Sequence, residues 1–201
     1  MKTTKTIALV KFALFTLIST GFVSACSSPP RDTFDLTVNR FTAPTNKTHK
    51  NIQILIAKPD AVKALDGQDI VIRQGGAIAY LKKAQWSDRL PNLIQARLVQ
   101  AFDNSNQFGG VGRPGDGLAI NYQILTDIRS FDVEVGNNQK IANIEISIKI
   151  MDDRNGNIRA SRIFRSQSGV IGVENNQYAH ALDTAFSALT IDIVNWVTSA
   201  L

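Results

Sequence analysis

The segment from Asn143 to Ile150 leaves this chain little conformational freedom. Isoleucine stands at 144, 146, 148 and 150, with Asn143, Glu145, Ser147 and Lys149 between them. A period of two belongs to a strand, so the four isoleucines share one face and the four polar residues the other. Such a strand needs neighbours on both edges and a cover over its dry face alone. The pair Asn155-Gly156 is a strong hairpin signal. Ile158 to Arg165 is therefore expected to return beside it as a partly exposed partner.

Two stretches have the period of the missing cover. Tyr178, Leu182, Ala185, Leu189, Ile193 and Trp196 recur every three or four residues, joined by Ala181, Phe186 and Val197. This predicts an amphipathic helix from just after Glu174 to the last residues. Trp86, Leu90, Leu93, Ile94, Leu98, Ala101 and Phe102 predict another, with Ser87 as its N-cap, Pro91 in its first turn and its end near Asn104-Ser105. Further strands are expected at Thr33 to Val38, Asn51 to Ala57, Leu118 to Thr126 and Phe131 to Val135. Asp69 to Arg73 and Ala77 to Leu81 should form a hairpin about Gly75-Gly76. The fold class is α+β, an antiparallel β-sheet with two amphipathic helices packed on one face. Gly109 to Gly117, with five glycines, reads as a mobile loop.

The first residues follow different rules. Lys2, Lys5 and Lys11 precede the apolar run Phe12 to Ile18, and Val23-Ser24-Ala25 leads into Cys26, the only cysteine. This is the layout of a lipoprotein signal peptide, and the apolar run is shorter than the roughly 20 residues of a spanning helix. Residues 1–25 are expected to be removed, Cys26 to be lipidated, residues 26–32 to act as a tether, and residues 33–201 to form one domain. Several acyl chains anchor stably where one does not. In the bacterial lipoprotein class that this leader resembles, Ser rather than Asp after the cysteine favours export to the outer membrane, so the resemblance implies its periplasmic face for a chain with Ser27.

Composition then excludes more than it selects. The chain has 22 Lys and Arg against 17 Asp and Glu, but three of the lysines lie in the leader. Near-balanced charge with no basic cluster is no nucleic-acid signature. With Cys26 committed to lipid, neither an internal disulfide nor a thiolate metal site can form. His49 and His180 are the only histidines. No nucleophile-elbow motif is present, and the glycine-rich loop lacks the Lys-Ser/Thr of a phosphate-binding loop. No catalytic residue, metal or cofactor is expected, and the chain reads as a non-enzyme.

Gln85-Trp86-Ser87-Asp88-Arg89-Leu90-Pro91, followed by Leu93, Gln95, Leu98 and Phe102, carries a resemblance. With the Cys26 lipobox, Leu65-Asp66 leading into Ile70 to Arg73, and the long last helix, the chain resembles the ABC-type transport auxiliary lipoprotein family. Phe34 stands where that family usually has tyrosine. The resemblance implies a partnership with a mammalian-cell-entry (MCE) domain protein and, through it, an ABC permease and ATPase. The implied role is lipid or hydrophobic-solute traffic between two membranes, and a homo-oligomer is compatible with it. The alternatives are a periplasmic acyl-chain carrier, with a groove between the helices, and a structural outer-membrane assembly lipoprotein. Trp86 reads first as a staple of helix to sheet and second as a partner contact. The remaining candidate contacts are Gly109, Gly110, Arg113 and Asp116, on or beside the glycine-rich loop.

Mass spectrometry of the protein isolated from its native envelope should find the leader gone and Cys26 carrying acyl chains. An intact leader or a free thiol at Cys26 would overturn the anchor.

Overall fold

The structure, a computed structural model, describes residues 30–38, 48–136 and 138–201. The chain divides into two units, Met1–Pro30 and Arg31–Leu201, and the strands and helices among the described residues belong to the second. Cys26 lies outside the described residues.

The isoleucine-bearing segment is strand β9 (Gln139–Asp152), and Ile144, Ile146, Ile148 and Ile150 are all buried. It lies between β8 (Tyr122–Gly136) and β10 (Ile158–Gly169), antiparallel to both. The 26-residue carboxy-terminal helix α2 (Asn175–Ala200) covers β9 and β10 with Leu182, Phe186, Leu189 and Ile193. Helix α1 (Leu90–Ser105) packs over β2 (His49–Ile56) and β7 (Phe108–Gly112) with Ile94, Leu98 and Phe102. The α+β class and both helices on the dry face agree with the sequence.

Strand direction does not. The other edge of β8 takes three short strands in turn, all parallel to it: β2 at Ile54 to Ile56, β3 (Asp60–Ala61), and β4 (Val71–Gln74). Strand β7 is parallel to β2, and only the hairpin of β4 with β5 (Ala77–Tyr80) restores an antiparallel pair there. The eight-stranded sheet is therefore mixed rather than antiparallel. Residue alternation reports which faces are buried, not which way a neighbour runs. The parallel β2–β7 pair needs a long crossover, and α1 lies within it.

β8 also unites two strands that look separate in the sequence. Ile124, Thr126 and Ile128 face the helices, as do Phe131, Val133 and Val135. Ile128 pairs with Ile146 and Ser130 with Glu145, so Arg129 is the extra residue of a bulge. One extra residue reverses the parity of the strand, which breaks its alternation into two unlinked runs.

The termini of the helices are tied down individually. Leu90 opens α1, with Pro91 behind it, so Ser87 is not the cap; the Leu90 N–H instead donates to the Gly67 carbonyl at 2.9 Å. Glu174 and Gln177 form a reciprocal capping box at the start of α2. Gly172 passes over that box at φ 112°, where a Cβ would collide with the Gln177 amide. At the other end His49 Nε2 donates to the Thr198 carbonyl at 2.8 Å and Arg159 Nε to that of Ala200 at 3.1 Å, meeting carbonyls the helix leaves open. On the polar face Asp132 is 1 % exposed and accepts hydrogen bonds from Arg73 Nε, at 2.9 Å, and from the Ser130 hydroxyl.

Gly172→Ala is expected to cost about 1–3 kcal/mol, the usual range for a side chain forced into the left-handed region, and equilibrium denaturation reads it directly. Arg73→Met should cost about 3 kcal/mol, because it strands a buried carboxylate. Adding Asp132→Asn should restore much of that loss; no recovery would show that Arg73 acts by packing alone.

Candidate partner-docking surface

Because the helices occupy one face of the sheet, the polar face of β8, β9 and β10 is left open. Alternation along three adjacent strands places Ser130, Asn143, Glu145, Arg165 and Gln167 side by side. The Glu145 carboxylate accepts from Arg165 Nε at 2.7 Å and lies 3.5 Å from Arg129 Nη1. Gln167 Nε2 donates to Asn143 Oδ1 at 2.7 Å. Together they line an open groove of about 490 Å³. A second groove of about 660 Å³ adjoins it through Gln167 and runs past Gln139, Lys140, Gly169 and Gly172. β10 pairs only with β9 among the described strands, so its outer edge is unpaired, and Arg165 to Gly169 of that edge strand line the two grooves.

Ordered, mutually paired polar side chains of this kind suit recognition. Among the described residues no group of three or more His, Cys, Asp or Glu could hold a metal ion, and no described helix is long and apolar enough to cross a membrane. His49 is engaged at the end of α2, stacked on Phe108 at 5.8 Å. The Asp152 carboxyl is held below its ordinary range by Arg154, whose guanidinium donates two hydrogen bonds to it within the β9–β10 turn. The apolar stripes of the helices fill the core: Leu98, Phe102, Leu182, Phe186, Leu189 and Ile193 are buried, leaving none of these side chains to line an acyl groove.

The residues singled out in the sequence fall in two separate places. Trp86, in β6 (Ala84–Trp86), is 1 % exposed and meets Phe131 edge-on at 5.9 Å. β6 pairs with β1 (Asp32–Phe34), and the indole fastens this small parallel sheet to the main one. In this fold Trp86 is core and offers no surface. Gly109 and Gly110 are not in a loop; they belong to β7 and pair alongside β2. A side chain at Gly109 would overlap the Lys50 carbonyl, so glycine there serves close strand approach. Only Arg113 to Asp116 remains a turn, closed by the Arg113 N–H on the Asp116 carboxylate at 2.7 Å, with Pro114 and then Gly115 at φ 99° in type II order. Arg113 and Asp116 are exposed. The turn follows Gly112, which is level through Leu55 with Gln123 of β8, whereas Trp86 meets Phe131 further along that strand, roughly 25 Å away. The Arg165–Glu145 and Gln167–Asn143 pairs escaped the sequence reading because each needs the β9–β10 register, which a hairpin signal implies but does not number.

Comparison with known proteins matches this architecture to one family. The model for the ABC-type transport auxiliary lipoprotein component matches residues 34–194. A Bradyrhizobium diazoefficiens protein of unknown function is 29 % identical over 169 residues, covering 84 % of this chain. Those residues span only 45 % of that relative's length. Among solved structures, protein XCC0632 of Xanthomonas campestris, assigned to the DUF330 family, superposes with a TM-score of 0.75 at 22 % identity over 84 % of this chain and 95 % of its own. A hypothetical protein of Chlamydia trachomatis, CT253, superposes at 0.53 with 7 % identity over 74 % and 96 % of the two chains. Both likenesses are of fold. The match to the family model covers most of the chain and both helices, and on it the chain belongs to the ABC-type transport auxiliary lipoprotein component family.

Proposed function

We propose that this lipoprotein is a docking adapter of an MCE-type ABC transport system, anchored by Cys26 to the periplasmic face of the outer membrane. It would receive an MCE-domain protein whose permease and ATPase sit in the inner membrane, and the cargo would be lipid or another hydrophobic solute. The observation that carries this reading is the one-sidedness of the sheet. Its dry face is closed by α1 and α2, while its polar face keeps paired side chains and a long free edge. A domain that carried acyl chains itself would need the reverse, an unfilled apolar face. The core side chains instead pack against one another, which counts against the carrier alternative.

The polar face around Glu145, Arg165 and Gln167 is the favoured contact. The Arg113–Asp116 turn, at the β7 edge, is the second. In affinity isolation of the lipidated protein from its native envelope, an MCE-domain protein should co-purify. Arg165→Glu should reduce that capture by about tenfold or more, since reversing one member of a charged contact costs a few kcal/mol, while Arg113→Glu should change it less. Isolation with a different envelope complex would favour the structural-lipoprotein alternative. Capture lost with Arg113→Glu but kept with Arg165→Glu would move the contact to the turn.

A further inference from the structure

One end of the domain combines exposed apolar side chains with the first residues of the domain itself. The β8–β9 hairpin, the β4–β5 hairpin and the loop from β10 to α2 all lie there, since Gly136 pairs with Gln139, Arg73 with Glu134 and Gly169 with Ile141. The loop tip is Val170-Ile171-Gly172-Val173, and Ile171 is 88 % and Val173 73 % exposed. A single exposed hydrophobe is ordinary, but Ile171 and Val173 stand together across Gly172 on an ordered loop and make a small apolar tip, the kind of feature that marks a contact. The loop is not loose. The Val170 N–H donates to the Lys140 carbonyl at 2.9 Å, Lys140 Nζ to that of Gly172 at 3.0 Å, and the capping box fixes Glu174.

The chain enters the fold beside this loop. Asn175, two residues past Val173, donates through Nδ2 to the Asp32 carboxylate and to the Lys82 carbonyl, each at 3.2 Å. The Asp32 N–H donates to the Lys83 carbonyl at 2.8 Å. From Arg31 back to Cys26 is five residues, at most about 18 Å of extended chain. The fourteen residues of β9 alone span about 45 Å. A lipid on Cys26 therefore cannot reach the bilayer unless the Asp32 end of the domain is the near end.

We infer that the Ile171–Val173 loop is a membrane-docking element: its two apolar side chains enter the interfacial region of the bilayer to which Cys26 is attached. The occupant is lipid rather than a protein partner, because the tether brings the bilayer to this end whatever else binds. The charges that these pairings bring to this end, Arg31, Arg73, Lys82, Lys83 and Lys140 against Asp32, Asp69, Asp132, Glu134 and Glu174, balance. The contact is therefore apolar and insensitive to salt. It rests on the lipidation of Cys26 and adds the orientation of the domain. The loop and the second groove share Gly172, so a partner docked on the polar face would be held close to the lipid headgroups.

The test uses the full-length protein, processed and lipidated in cells, with Val173→Cys carrying an environment-sensitive fluorophore. It is reconstituted into vesicles of phosphatidylethanolamine and phosphatidylglycerol, with and without doxyl-labelled lipid. Ile158→Cys, at the opposite end of β9, is the control. The probe at 173 should shift to the blue and be quenched by doxyl lipid about twofold or more beyond the probe at 158, as for a side chain in the acyl boundary, with the difference unchanged by added salt. Equal quenching at both sites, with lipid on Cys26 verified by mass, overturns the docking and leaves the anchor standing. A blue-shifted probe that doxyl lipid does not quench means that protein covers the loop, and also overturns it. An unmodified thiol at Cys26 overturns anchor and docking together.

Discussion

Covering the isoleucine face of β9 is the constraint from which the rest of this structure follows. Four buried isoleucines in one strand each contribute on the order of 2 kcal/mol when removed from water. They do so only if a second layer lies over them. Helix α2 supplies it, and its length is set by the strands beneath: twenty-six residues rise about 39 Å, close to the span of β9. Both of its ends are then fixed to what they meet, Asn175 to Asp32 of β1 and Thr198 to His49. A sheet covered on one side has a polar side left over, and that side is where the domain is free to recognise something.

How much of this can be read from residues alone depends on the kind of information each element carries. β9, both helices and the Asn155-Gly156 turn are legible because burial on one face writes its own period into the sequence. The parallel partners of β8 are not, since nothing in Ile54 or Ile72 states that residues some sixty to seventy positions later run beside them in the same direction. β7 is illegible for another reason. Three of its five residues are glycine, Gly109 because a Cβ would meet the Lys50 carbonyl of β2 and Gly112 because one would meet the Leu118 side chain, and glycine has no side chain to alternate. Composition therefore suggests a mobile loop where the fold has an edge strand.

The site divides in the same way. That β9 has a wet face is evident from Glu145 and Lys149, but that Arg165 answers Glu145 is a fact of register. Trp86 is the opposite case. A lone tryptophan in a family-like segment draws attention as a contact, yet the indole is consumed by Phe131 and the core. Its value lies in fastening β1, and with it the first described residues, to the main sheet.

The bulge at Arg129 has a consequence for how such domains can vary. It acts as punctuation in a reading frame with a period of two: everything before it keeps one phase and everything after it the other. Flattening the bulge with Arg129 kept in the ladder would turn Phe131, Val133 and Val135 toward water and Asp132 toward the helices, with no change in any side chain, whereas dropping Arg129 would leave Ile128, Ser130 and Phe131 alternating without a break. A one-residue change of length within β8 is therefore tolerated only at the bulge itself, whereas the turns at either end of the strand can lengthen freely.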